Sequence, residues 1–281
     1  MKIVVTGGRG MLGRTLARRL ADHEVAILDL PETDIADARA LDAALAALRP
    51  QAVIHCAAMT AVDRCEAEPD AAFRANAVGS ANVARACGRL GARLIALSTD
   101  YVFPGDGPRP YHEWDAPGPR TVYGQSKLAG EEAIRAHCPD HLILRIAWLY
   151  GPGGPSFVHA MLKLGADGGG PLKVVSDQIG NPTSTDAVAA RIQELLEVPI
   201  AGTLHLTCEG EASWFELAQA IFTQRPTARP VVACATEEYP RPAPRPRNSR
   251  LEKRALRLHG LSPMPHWRDA LGRFFAEHPG A

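Results

Sequence analysis

Residues 2–13 read Lys-Ile-Val-Val-Thr-Gly-Gly-Arg-Gly-Met-Leu-Gly, an apolar run from Lys2 to Thr6 that ends in a cluster of glycines. Beyond it Met11, Leu12, Leu16 and Leu20 recur at helical spacing as far as Ala21, with basic residues on the other face. A buried strand, a turn and an amphipathic helix are expected in that order. Gly7, Gly10 and Gly13 set the spacing G-x-x-G-x-x-G at the junction. Such a turn uses backbone conformations that side chains disfavour, and it lets a phosphate approach bare main chain. The helix N-terminus behind it offers unpaired N–H groups and partial positive charge. Glu24–Leu28 is a second strand candidate and closes on Asp29, where an acidic residue takes the ribose hydroxyls of an adenosine. The glycine spacing alone is a weak signal; strand, turn, helix, second strand and terminal acid together point to a dinucleotide site. Asp29 disfavours a 2′-phosphate, whereas Arg9 in the turn is able to pair with one, so NADPH and NADH both remain open.

The rhythm continues outward. Ala38–Leu48 is an alanine-leucine helix, 52–55 a third strand, Pro69–Leu90 one long helix and 93–98 a fourth strand. A loop rich in glycine, proline and aromatics runs from Tyr101 to Arg120, followed by a helix from Val122 to His137 and a strand from His141 to Ile146. Strands alternating with helices of this length give an α/β fold of the Rossmann type, a parallel sheet doubly wound with helices on both faces. After Tyr150 glycine-proline breakers loosen the pattern, with helices expected at 185–197, 213–223 and 266–277 and an extended stretch at Pro240–Pro246. The simplest partition is a dinucleotide-binding domain over 1–150 and a smaller, carboxy-terminal substrate-binding lobe over 151–281, some of whose elements return to the sheet.

Composition narrows the function classes. The 281 residues carry 46% hydrophobic and 22% charged side chains and no formal net charge, so nothing global draws the chain to nucleic acid or to an anionic membrane. The amino-terminal apolar run is too short for a signal peptide and no stretch reaches the ~20 apolar residues of a spanning helix, which favours a cytoplasmic protein. Six cysteines are scattered without metal-like spacing and read as reduced thiols. His137 and His141 stand four apart, but Pro139 lies between them, and no metal site is expected.

Tyr123 and Lys127 lie four apart on the helix expected at 122–137, so they share one face. A neighbouring ammonium favours phenolate and should bring the tyrosine toward the range useful for proton transfer. Thr99 follows the fourth strand at its carboxyl end, where open α/β sheets place ligands, and its hydroxyl is suited to polarise a carbonyl. This set makes Tyr123, Lys127 and Thr99 the candidate catalytic residues. The many arginines between Arg225 and Arg257 read mainly as a solvated face, with one or two available to a diphosphate.

Several stretches then carry a family resemblance: GGRGMLG at 7–13, AAMTAVDRCEAEP at 57–69, STDYVFPG at 98–105, YGQSKLAGE at 123–131, RIAWLYG at 145–151, DQIGNPT at 177–183 and RPRNSRL at 245–251. In this order, over nearly the whole chain, they resemble the extended short-chain dehydrogenase/reductase family. The resemblance implies reduction of the 4-keto group of dTDP-4-dehydro-L-rhamnose with NADPH or NADH as cofactor. As partners it implies a dTDP-sugar substrate and neither nucleic acid nor membrane, and it allows a homodimer. It puts Gly10, Met11 and Leu12 at the pyrophosphate, Asp29, Asp34 and Ile35 near the adenosine, and Ala58, Met59 and Thr60 along the cofactor toward the nicotinamide. Thr99 and Asp100 would contact the sugar, Tyr123 would deliver the proton with Lys127 in support, and Trp148 would pack on the sugar nucleotide. Gln178, Asn181 and the segment from Arg245 to Ser249 fall to the substrate lobe. Met59 stands where histidine or tyrosine is common, and Cys56 replaces a small residue. Two other readings compete: a related epimerase or dehydratase, and a non-catalytic cofactor-binding subunit. Dehydratases of the superfamily carry Thr-Asp-Glu where this chain has Thr99-Asp100-Tyr101, which speaks against elimination.

Overall fold

Ile3, Val4 and Val5 are all sealed from solvent, yet alternate residues serve different cores. In the computed structural model, which describes residues 1–279, Ile3 and Val5 pack with Leu12 and Leu16 on one face. Val4 packs with Leu41, Val53, Val83 and Leu94 on the other. This is the pattern of a strand covered on both sides. The strand is β1 (Lys2–Thr6), followed by α1 (Met11–Arg19), β2 (Glu24–Leu28), α2 (Ala38–Leu48) and β3 (Ala52–His55). Next come two short helices, α3 (Val62–Ala67) and α4 (Pro69–Phe73), then a π-helical turn at Arg74–Val78 that runs into α5 (Gly79–Leu90). The strand β4 (Arg93–Thr99), the helix α6 (Val122–His137) and the strand β5 (His141–Ile146) complete the amino-terminal part.

The sheet order is β2-β1-β3-β4-β5, and a sixth strand, Gly202–His205, pairs parallel to β5. Every pairing in this sheet is parallel. The fold is therefore a doubly wound α/β sheet. The strand 202–205 and the helix Thr185–Leu195, which meets α1 where Thr15 Oγ1 donates to Thr185 Oγ1 at 3.1 Å, come from the carboxy-terminal half. The chain thus crosses back over any boundary drawn at residue 150. What stands apart is a second core of Tyr150, Val158, Met161, Leu217, Ile221, Trp267 and Phe274. It is built by the helices Phe157–Ala166, Trp214–Gln224 and Trp267–Glu277.

One expectation changes here. The helix over Pro69–Leu90 is interrupted: the π-helical turn inserts between α4 and α5. Asn76 lies in this wider turn, is fully buried and bonds the loop after β3.

Candidate active site

The glycine turn is built as its spacing demands. Gly7 has φ +67°, and a Cβ there would lie 2.6 Å from the Ala57 backbone. At Gly13 a Cβ would come within 2.5 Å of the Gly7 carbonyl oxygen, so the first turn of α1 is pressed against the loop that precedes it. Gly10 caps α1 without a side-chain hydrogen bond, and no acidic residue enters the first turn. The amides of Met11 and Leu12 are left for an anion. At the end of β2 the Asp29 carboxylate accepts the Arg9 and Leu30 N–H groups at 2.8 Å each. A bare turn, an uncapped helix N-terminus and a fixed acid at the second strand fit a dinucleotide, pyrophosphate first and adenosine ribose beyond it.

Asp34 accepts the Ala36 N–H and pairs with Arg74 at 2.8 Å. Ile35 is buried and its carbonyl accepts from Asn82. Ala58, Met59 and Thr60 follow β3, half-buried to exposed. Asn76 holds this loop: its Oδ1 accepts the Met59 N–H at 2.8 Å, and its Nδ2 donates to the Met59 carbonyl and to Ser126 Oγ, both at 3.0 Å. Ser126 in turn donates to the Tyr123 carbonyl. One buried amide thereby ties the loop after β3 to the helix that carries Tyr123. Asn76 escaped sequence reasoning because nothing in RANAV marks a π-turn.

Thr99 ends β4, and its Oγ1 accepts the Tyr101 N–H, turning the chain into a 3₁₀ turn at Asp100–Val102. Its hydroxyl donates to Asp100 Oδ1 at 3.1 Å. Thr99, Asp100, Tyr123 and Lys127 are all buried. Burial pushes the Asp100 carboxyl up to about 6, against hydrogen bonding from Ser249 and Thr99. The Tyr101 ring meets that of Tyr123 edge to face at 5.4 Å.

The tyrosine-lysine pair departs from expectation. Tyr123 and Lys127 share a face of α6, but Lys127 Nζ donates to the Leu97 carbonyl at 2.8 Å. Burial drives the Tyr123 phenol above its ordinary value, with the Thr99 hydroxyl pulling the other way, and the lysine charge does not offset this. Burial also brings the lysine down to about 8, opposed by the Glu131 carboxylate. Glu131 lies four residues beyond Lys127 and was not singled out from the sequence, although that spacing puts it on the same face. Its Oε1 accepts from Ser98 Oγ at 2.6 Å and from Arg145 Nε at 2.9 Å. Arg145 and Arg135 each donate to Oε2 at 2.7 Å.

Beside this center opens a cavity of about 380 Å³. Its lining includes Tyr101, Trp148, Gln178, Trp214, Arg241 and Ser249, so it adjoins Tyr123 and Asp100 through their neighbours Tyr101 and Ser249. Trp148 does not offer a free face. Its indole is stacked on Trp214, centroids 3.4 Å apart, and Gly180 lies so close that a Cβ there would come within 2.4 Å of the indole. An edge is what Trp148 presents. Gln178 is held by Trp214 Nε1, which donates to its Oε1 at 3.1 Å. Asn181 serves as a brace instead, donating to the Gly210 carbonyl and accepting the Leu251 N–H. Of the segment 245–249, Arg245, Pro246 and Ser249 line the cavity. Arg245 also pairs with Asp63 of α3 at 2.8 Å. Arg247 and Arg257 are paired with acids at the surface.

All six cysteines are unpaired. Among the described residues, Asp186, Glu277 and His278 bring potential metal ligands together, beside Arg18 of α1. No described helix is long and apolar enough to cross a membrane.

The chain matches the family model described as RmlD substrate binding domain over residues 1–279. It is 42% identical to the spore coat polysaccharide biosynthesis protein SpsK of Bacillus subtilis, covering 100% of this chain and 99% of that one. It is 44% identical to the dTDP-4-dehydrorhamnose reductase of Streptomyces griseus, over 97% of this chain and 92% of the relative. Among solved structures, the dTDP-4-dehydrorhamnose reductase of Bacillus anthracis in complex with NADP superposes with a TM-score of 0.94 at 39% identity, over 98% of both chains.

Proposed function

The chain belongs to the RmlD substrate binding domain family, and from that premise we propose that it reduces dTDP-4-dehydro-L-rhamnose to dTDP-L-rhamnose with NADPH or NADH. The step belongs to dTDP-rhamnose synthesis and so to cell-surface polysaccharide. The observation that carries the reading is the buried set of Thr99, Tyr123 and Lys127 at the carboxyl end of β4, beside a cavity flanked by Arg241 and Arg245.

The nicotinamide, when bound, supplies hydride to the keto carbon. Gly7, Gly10, Met11, Leu12 and Gly13 would hold the pyrophosphate, with Asp29, Asp34 and Ile35 toward the adenosine. Ala58, Met59 and Thr60 would run beside the remainder. Thr99 donates a hydrogen bond to the sugar carbonyl and steadies the oxyanion. Tyr123 gives its proton to that oxygen. The Lys127 ammonium stabilises the phenolate left behind and orients the ribose. Asp100 and Trp148 contact the sugar, Trp148 by its edge. The elements after residue 150 that build the second core would form the substrate lobe, where Arg241 and Arg245 would meet the diphosphate. Unpaired cysteines suit a reducing compartment, and the cytoplasm is the proposed location.

Tyr101 in place of a second acid argues against a dehydratase, since elimination needs a carboxylate at that position. Supplying the keto sugar nucleotide and reduced cofactor should give loss of absorbance at 340 nm and dTDP-L-rhamnose as product. A folded protein that binds cofactor but consumes none of it with this sugar would refute the reading.

A further inference from the structure

Arg9 stands out among the residues around the glycine turn. It is the one cation inside the turn itself, and its backbone N–H is bonded to Asp29, the acid at the adenosine-ribose position. Its guanidinium is already engaged. Nη1 donates to Glu32 Oε2 at 2.7 Å and Nη2 to Glu32 Oε1 at 2.9 Å, a two-pronged grip, and Nη1 also donates to the Leu30 carbonyl. Arg9 and Glu32 are both largely exposed, with side chains 53% and 63% accessible, so the pair opens at little cost. The fork that grips a carboxylate on two prongs grips a phosphate in the same way. The 2′-hydroxyl of the adenosine ribose is the group that Asp29 addresses, and in NADPH that position carries the phosphate.

We propose that Glu32 sets cofactor preference by competing with the 2′-phosphate for Arg9. With Glu32 in the fork, Asp29 favours the bare ribose of NADH. When a 2′-phosphate arrives, Arg9 exchanges one anion for the other, and NADPH is accepted at the expense of the Arg9–Glu32 pair. The inference rests on the dinucleotide reading of the glycine turn and names the residues that choose between its two forms.

Calorimetric binding of NADPH, NADH, 2′,5′-ADP and 5′-AMP to the full chain tests it without turnover. Glu32→Gln should tighten NADPH and 2′,5′-ADP by about two- to fivefold, the scale of an exposed ion pair. NADH and 5′-AMP should stay within about twofold, because they never compete for Arg9. Arg9→Gln should weaken NADPH and 2′,5′-ADP, which carry the 2′-phosphate, by about tenfold and leave NADH and 5′-AMP nearly unchanged. The double variant R9Q/E32Q separates competition from plain repulsion between Glu32 and phosphate: the gain from E32Q should vanish in the R9Q background. An unchanged NADPH-to-NADH ratio in E32Q, or a gain that persists without Arg9, would overturn the proposal. Wild-type protein that binds neither dinucleotide would remove the cofactor reading along with it, whereas binding of both with an unmoved ratio removes this inference alone.

Discussion

Burial holds the Tyr123 phenol protonated at neutral pH, which is the state a proton donor must occupy before a ketone is reduced. The sequence suggested the opposite emphasis, a lysine lowering the phenol at rest. In the structure Lys127 is turned to the Leu97 carbonyl, and on the proposed mechanism its charge would act on the phenolate formed during the reaction rather than on the resting acid. Replacing Tyr123 by Phe should cut turnover by roughly 10²-fold or more while cofactor binding persists, as measured by steady-state rates and calorimetry. Lys127 supplies a pH limb. Burial lowers it to about 8, so the ammonium is present below that value and is lost as pH rises through it. The profile of kcat/KM, which reports the free enzyme, should therefore fall above pH about 8. A profile flat to strongly alkaline pH would show that the lysine charge is not needed.

At the scale of elements, the pieces that the sequence made legible are those with strong local chemistry. The strand–turn–helix at 2–19 has hydrophobic periodicity and glycines whose roles the structure explains one by one. The helix α6 carries its tyrosine and lysine on one face as spaced. The π-helical turn at Arg74–Val78 was not legible, because no residue in it carries a local signature of a π-turn, and the contact it serves, from Asn76 to Met59, is distant in sequence. The strand 202–205 was missed because a four-residue run between two covered faces has no alternation to read. Two glycines test the element packing. Gly13→Ala places a methyl 2.5 Å from the Gly7 carbonyl oxygen, so it should lower stability by about 1–3 kcal/mol and weaken cofactor binding, read by Tm and titration. Gly180→Ala drives a methyl into the Trp148 indole and should break its stack on Trp214. A raised KM for the sugar nucleotide with unchanged cofactor affinity is the expected outcome.

Across the whole molecule, two buried histidines make the fold sensitive to acid. His55, held between Thr6 and Ser80, and His205, at the sixth strand, are each brought to about 3, mainly by burial. Both are neutral when folded and protonate near 6.5 when unfolded. Between those values the unfolded chain binds more protons, so stability falls as pH drops from about 6.5 toward 3. Thermal unfolding from pH 7 to 4.5 should show a declining Tm, and a constant Tm would contradict these assignments. The carboxy-terminal half was the least legible part at this scale. Its cavity is assembled from residues far apart in the chain, Tyr101, Trp148, Trp214 and Arg241 among them, and the Trp148–Trp214 stack has no local signature.

On the proposed mechanism the cofactor's hydride reaches the sugar while Tyr123 gives up its proton. Single-turnover reaction of the protein with the keto sugar nucleotide and cofactor deuterated on the transferring face of the nicotinamide tests it most directly. Deuterium should appear on C4 of the product sugar, and Tyr123→Phe should slow its transfer by roughly 10²-fold without loss of cofactor binding. A product without deuterium at C4, or a Tyr123→Phe protein transferring it at the wild-type rate, would contradict the account.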